Sequence, residues 1–226
     1  MWSELGELAY RAARKVMTLD VTVVVWLARA KLRLPGVDDA AFDFHFLSSD
    51  ELRRLGDDAA LGLAPAMAQR VAQGNDFCFA AMHGDNLASY AWFALDSIEA
   101  EHNRGAQPHS GVAVSFPTNV AFLYKGFTHP DYRGRKLHGE VIGRALVELA
   151  PLGIEAVLST TDWTNRAARR ALAGIGFVEL GLCYRWGWSH WMHTQPPREA
   201  QSRGAQFDNL AVARPAIAAA ASRPSS

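Results

Sequence analysis

The stretch Phe127-Thr128-His129-Pro130-Asp131-Tyr132-Arg133-Gly134-Arg135-Lys136-Leu137-His138-Gly139 joins two periodicities. Residues 120–128 read as a strand. After the joint, Val141, Ile142, Ala145, Leu146 and Leu149 form one apolar stripe of a helix over residues 137–149. A helix N-terminus, with amides that lack partners inside the helix, therefore follows directly on a strand. Arg133, Arg135, Lys136 and His138 cluster there, where a cation faces the wrong end of the helix dipole. A bound phosphate would resolve the conflict. Gly134 and Gly139 permit positive φ or close backbone approach, which a nest of amides around an anion requires. A basic surface loop is the competing reading of the same residues.

Upstream, residues 41–47 alternate Phe42, Phe44 and Phe46 with polar or small residues, as a half-buried strand does. A short helix is expected over residues 52–55, with caps from the Ser49 region, and a second within residues 60–73, ended by Gly74-Asn75. Residues 77–82 and 88–95 read as strands about the turn His83-Gly84-Asp85-Asn86. Residues 103–110 are loop-like, and residues 112–116 form a further strand candidate. Downstream come a buried strand at 154–158, a helix at 165–173 closed by Gly174, and a strand at 177–186. Hairpins followed by alternating strand and helix imply an α/β (α+β) fold. Its sheet is mixed, mostly antiparallel, and flanked by helices.

The segment Pro130-Asp131-Tyr132-Arg133-Gly134-Arg135, followed by an apolar helix, resembles the acyl-coenzyme A (CoA) loop of the GNAT N-acetyltransferase superfamily. A second segment, Asn165-Arg166-Ala167-Ala168-Arg169-Arg170-Ala171-Leu172-Ala173-Gly174-Ile175-Gly176-Phe177, is similar to that family's Asn-x-x-Ala/Ser helix ending in Gly-Phe. The likeness covers roughly residues 41–188. It implies a GNAT-like fold and an acyl-CoA-dependent N-acyltransferase, most simply moving acetyl from acetyl-CoA to a small-molecule or peptide amine. Transfer would be direct, in a ternary complex. By the same resemblance, Phe127 and Thr128 would bind the thioester and pantetheine arm through backbone amides. Arg133, Gly134, Arg135, Lys136, Leu137 and His138 would hold the diphosphate, Gly139 would start the helix beneath it, and Asn165 and Ala168 would border the pantetheine. Two positions depart from the family pattern, Lys136 and His138, where glycine and then glycine or alanine are usual. The tyrosine that often serves as acid falls at Leu172.

An attacking amine must lose a proton, yet residues 120–128 contain no Asp or Glu. Tyr124, which shares strand parity with Gly126 and Thr128, and Tyr184 on the last strand are the candidates for acid or base. His190-x-x-His193 has no third ligand at metal spacing, so no metal is expected. Cys78 and Cys183 lack CxxC spacing and an evident local base, and read as buried small hydrophobes.

With 226 residues, 49% of them hydrophobic, the chain can fill one domain core. Its 23 basic and 23 acidic side chains cancel, so the electrostatic footprint of a nucleic-acid partner is absent. No signal-peptide pattern or membrane-spanning run is seen, and a cytoplasmic address is expected. Residues 1–38 read as an amphipathic leader whose Arg11, Arg14, Lys15, Arg29, Lys31 and Arg33 could rest on an anionic membrane surface. Helix and strand are both open for its Val21-to-Val25 cluster. Residues 39–193 form the acyltransferase domain, and residues 194–226 read as a disordered tail. Two other functions fit these residues: a noncatalytic CoA-binding regulator, and a membrane-surface acyltransferase served by an acyl carrier protein.

Overall fold

Val21-Thr22-Val23-Val24-Val25 resolves as strand. In the computed structural model, which describes residues 10, 13, 17–37, 41–74, 76–103, 111–188 and 191–208, these residues lie within β1 (Thr18–Ala28). Val23, Val24 and Val25 are 1%, 0% and 2% exposed, so both faces of the strand are covered. Val21, Val23, Val25 and Leu27 enter one core and Val24 the other, the period-two split of a central strand. The expectation of a separate leader over residues 1–38 therefore fails for β1. Its apolar residues, which could have rested on a membrane surface or packed on the domain as a helix, lie in the core as a strand.

The remaining strands are β2 (Asp43–Phe46), β3 (Asp76–His83), β4 (Asn86–Leu95), β5 (Ser97–Ile98), β6 (Ala113–Ser115), β7 (Val120–Thr128), β8 (Ala156–Asp162), β9 (Val178–Trp188), β10 (Trp191–Gln195) and β11 (Gln206–Asp208). Eight of them form one sheet in the order β10-β9-β1-β8-β7-β4-β3-β2, and β11-β6-β5 form a smaller one. Among the described residues all pairings are antiparallel except β7 with β8. The α/β (α+β) fold class is as expected, a mostly antiparallel sheet flanked by helices.

Helix α1 (Ser49–Leu55) starts on a capping box in which the Ser48 and Glu51 side chains each accept the other's backbone N–H. The single helix expected within residues 60–73 is shorter, as α2 (Pro65–Ala72). Gly62, at φ +63°, ends the short 3-10 turn Ala59–Leu61 before it, and Pro65 sets the new N-terminus. Helices α1 and α2 cover one sheet face over Cys78, Ala80, Tyr90 and Trp92. Helix α3 (Leu137–Glu148) covers the other through Leu137, Val141, Ile142, Ala145 and Leu146.

After β1 the chain doubles back as a strap across α3. Leu32 and Leu34 lie where a Cβ on Gly143 would be, and Pro35 lies against Gly139. The amides of Gly36 and Val37 donate to the buried Glu140 carboxylate at 3.1 and 3.5 Å, and Arg144 Nε donates to its other oxygen at 2.8 Å. Helix α4 (Arg166–Gly174) follows β8. Beyond β10, α5 (Arg198–Ser202) and β11 bury Ala200, Ala205 and Phe207. The disordered tail expected over residues 194–226 is thus ordered as far as Asp208, because three small or aromatic side chains find a core. Residues 209–226 lie outside the described residues, as do 1–9, 104–110, Asn75 and His190.

Leu27→Ala is expected to cost about 2–5 kcal/mol, as for a fully buried leucine. Urea unfolding checks this; a loss under about 0.5 kcal/mol, the surface range, would return β1 to an appendage.

Candidate functional site

Strands β7 and β8 run together for four residue pairs only, Val120↔Ala156 to Leu123↔Ser159. Ser159 Oγ donates to the Leu123 carbonyl at 2.7 Å, satisfying the last shared backbone group. At the next residue β7 bulges: Trp92 pairs with Lys125 and Phe93 with Leu123, leaving Tyr124 as the extra residue. Past this point β7 stays with β4 while β8 follows β1, up to Thr22↔Asp162. The two strands part, and a cavity of about 180 Å³ opens between Leu123, Tyr124, Lys125 and Gly126 on one side and Ser159, Thr160 and Thr161 on the other. His138, Ala168 and Leu172 complete its lining.

The outer end of β7 is firmly held. Ser89 Oγ donates to the Phe127 carbonyl at 2.7 Å and lies 3.0 Å from Thr128 Oγ1. Phe127 stacks on Tyr90 at 5.3 Å, and Arg133 Nε donates to the Thr128 carbonyl at 3.3 Å. The loop then turns through Gly134 at φ +81° and Lys136 at φ +62°, ψ 12°. Lys136 occupies the left-handed conformation that its position would favour as glycine, at a cost of about 1 kcal/mol. It is the N-cap of α3 and offers the helix no side-chain cap, so the first-turn amides remain open to an acceptor. Arg133, Gly134, Arg135 and Lys136 are exposed, whereas Leu137 and Gly139 are buried. Arg135 lies over the Tyr132 ring at 5.5 Å. Beside this turn, a second cavity of about 330 Å³ runs between the strap and the two helices. It is bordered by Arg33, Lys136 and Arg170 and floored by Pro35, Gly139 and Ile175.

Of the expected site residues, His138 and Ala168 line the split, Lys136, His138 and Gly139 line the basic groove, and Phe127 and Thr128 lie on β7 beyond the split. Asn165 is the exposed N-cap of α4, its Oδ1 accepting from the Ala168 amide at 3.0 Å. The two candidate acid–base residues fare differently from expectation. Tyr124 OH donates to Asp76 Oδ2 at 2.7 Å, and burial together with that carboxylate pushes the phenol far above its ordinary range. Asp76 is itself fully buried and gripped by Arg70 Nε and Nη2 at 2.5 and 2.9 Å. Tyr124 is therefore a committed donor and unsuited as a base, although it borders the split; as the bulged residue it breaks the strand parity with Gly126 and Thr128. Tyr184 pairs with Val21 across β1 and lies three strands from β7, at about 4.8 Å per strand. The insertion of β1 between β8 and β9 removes it from the split.

Sequence reasoning missed Ser159, Gly126 and the Arg70–Asp76–Tyr124 network. An isolated glycine inside a strand signals close approach, and Gly126 carried that signal. A buried Asp beside a strand start carries none. Lys125 Nζ donates to the Gly62 carbonyl, and burial lowers its pKa. His138 is half-buried over Gly126, and burial lowers its imidazole pKa below 6.5. Burial raises both thiols, Cys183 to about 12. Among the described residues no three His, Cys, Asp or Glu side chains gather as metal ligands, and no helix is long and apolar enough to cross a membrane.

The mostly antiparallel sheet flanked by helices matches the fold of GNAT acetyltransferases. No protein-family model matches the sequence, and no curated protein matches it. Among solved structures the chain is similar to a GNAT-family acetyltransferase from Colwellia psychrerythraea, at 18% identity over 81% of this chain and 63% of that one, TM-score 0.52. It is also similar to a tandem GNAT protein from the clavulanic acid biosynthesis pathway, at 14% identity over 87% and 61%, TM-score 0.52. A conserved protein of unknown function from Staphylococcus epidermidis matches at 12% identity over 82% and 67%, TM-score 0.51. The chain spans about three fifths of the length of the first two. At these identities the likeness is one of fold.

Lys136→Gly is expected to raise stability by up to about 1 kcal/mol, the left-handed strain removed less the added freedom of the unfolded chain. Denaturant unfolding checks it. A pH dependence follows from His138. Above pH 6.5 the imidazole is neutral folded and unfolded; below it the unfolded chain takes up the proton more readily, so stability falls as pH drops from 6.5 toward the lower folded pKa. His138→Phe should flatten that part of the stability–pH curve, and an unchanged slope would refute the assignment.

Proposed function

We propose that this chain is an acyl-CoA-dependent N-acyltransferase, moving acetyl from acetyl-CoA to a small-molecule or peptide amine. The observation that carries the reading is the split between β7 and β8 opening onto the uncapped, cation-ringed N-terminus of α3. A CoA thioester asks for both features, an anion cradle for its diphosphate and an unpaired backbone edge for its amide-rich arm. The residues present fit it. The amides of Leu137, His138 and Gly139 face the diphosphate, and Arg133, Arg135 and Lys136 balance its charge. The β7 edge from Tyr124 to Thr128 receives the pantetheine, with Asn165 and Ala168 at its border. A backbone N–H aimed at the thioester oxygen stabilises the charge that develops there on attack, an effect of about 3–4 kcal/mol per donor.

Transfer is direct in this reading, because Cys78 and Cys183 are buried and their raised pKa values disfavour the thiolate. Two free thiols suit a reducing compartment such as the cytoplasm. The lining of the split holds no carboxylate. The neutral fraction of the acceptor amine attacks, and alignment against the thioester supplies the rate, up to about 7–11 kcal/mol. A second reading, noncatalytic CoA binding, is favoured by one observation: Leu172 stands in the split where a proton donor to the leaving thiolate would be useful.

Acetyl-CoA at a hundredfold excess over its dissociation constant is expected to stabilise the protein by about 2.7 kcal/mol. Arg133→Glu should weaken binding about tenfold, equivalent to about 1.4 kcal/mol, with little change to the unliganded protein. Incubation with a panel of amines should release free CoA thiol. Binding without thiol release across the panel would leave the noncatalytic reading, and no thermal shift with any acyl-CoA would remove both.

A further inference from the structure

His138 stands at the second residue of α3, and its ring reaches back over β7. The space it uses exists because residue 126 is glycine. A Cβ there would lie 2.2 Å from His138 Cε1, 3.0 Å from Nε2 and 3.1 Å from Nδ1. The edge of the imidazole is thus pressed onto the Gly126 backbone, beyond the point where β7 and β8 part.

This ring is also the side chain shared by the two cavities of the site, the β7–β8 split and the basic groove between the strap, α3 and α4. Lys136 and Gly139 line the groove with it, and Gly126 and Thr160 line the split with it. The ring is therefore a wall between the place suited to a diphosphate and the place suited to the arm that the diphosphate carries. The wall is poorly anchored. His138 Nδ1 is buried and has no hydrogen-bond partner, so the seated ring forgoes a bond that it would regain on turning toward solvent or a ligand oxygen. Its contact at Gly126 is with bare backbone.

We infer that His138 is the specificity-determining residue of the acyl-donor site, a movable partition that admits the pantetheine arm only when its imidazole turns off Gly126. The inference rests on the acyl-CoA reading above. It makes donor binding two-part. A ligand comprising only the phosphorylated nucleotide end occupies the groove with the ring in place, whereas a thioester donor must displace it. The apparent affinity for the full donor is then reduced by the fraction of molecules whose ring is turned away.

Calorimetry and stopped-flow binding of acetyl-CoA and of 3′-phosphoadenosine 5′-diphosphate, on the wild-type full chain, His138→Ala and His138→Phe, test this. With the ring off Gly126 about one tenth of the time, His138→Ala should tighten acetyl-CoA about tenfold and speed its association, while leaving the nucleotide's dissociation constant unchanged. His138→Phe, which keeps a ring, should bind acetyl-CoA no more tightly than wild type. Weaker acetyl-CoA binding by His138→Ala would overturn the partition and make the imidazole a holding group. Equal tightening of both ligands would overturn it in favour of a general effect of charge or hydration. Equal affinities in all three proteins would overturn it while sparing the acyl-CoA reading. Nucleotide binding without acetyl-CoA binding in any variant would remove both.

Discussion

The parting of β7 from β8 after Leu123 and Ser159 is the constraint on which the rest of the site depends. A parallel pair inside a sheet normally exhausts its backbone groups, and here it does so for only four pairs. Three local causes act together. Ser159 Oγ takes the Leu123 carbonyl, the bulge at Tyr124 swings β7 away, and β1 holds the far edge of β8 as far as Asp162. Each draws one strand off the other without exposing a hydrophobic face, because α3 and the α1–α2 pair still cover the two sides. The result is a polar seam through an otherwise apolar sheet, a concave place lined with backbone groups and beginning at a helix N-terminus.

Much of the sheet was legible in the sequence. The β3–β4 hairpin follows from Gly84 and Asp85 at a tight turn between alternating apolar residues, and α3 from one apolar stripe of regular period. The strand β1 was not. A strand buried on both faces has no polar alternation, so a Val-rich run is equally compatible with a short buried helix, and only pairing with β8 and β9, 128 or more residues away in the chain, settles it. The stretch from α5 to β11 escaped notice for a related reason. Its apolar content is small, and it is stable only because Phe207, Ala200 and Ala205 complete a core begun by Val24, Phe122 and Leu158.

For the candidate site, backbone conformation was readable in the sequence and side-chain direction was not. Arg133, Gly134 and Lys136 mark a tight basic turn through charge and glycine density, and Gly134 and Lys136 both carry a left-handed φ there. Tyr124 was assigned by strand parity, which a single bulged residue reverses. Tyr184 was assigned by proximity of the last strand to the cleft, which an inserted strand abolishes. The Asp76–Arg70 pair is invisible in sequence because its partners come from a helix and a strand start, and it is made only when α2 packs on the sheet.

The N-terminal segment has a double part in this arrangement. As β1 it separates β9 from the split, so that the aromatic residues of the last hairpin, Trp186 and Trp188 among them, lie remote from the opening. As the strap over residues 32–37 it returns to the same site from the other side, setting Pro35 against Gly139 and Arg33 beside Lys136 and Arg170. Glu140 fixes that return. A carboxylate in the first turn of a helix is favoured by the dipole, and this one is also bound by two strap amides and Arg144, so its burial is compensated on every side. Gly139 and Gly143 serve the same end by letting the strap approach the helix closely. The basic groove at the mouth of the split is therefore a composite of strap, α3 and α4, and its geometry depends on the glycine face of α3 as much as on the charges that border it.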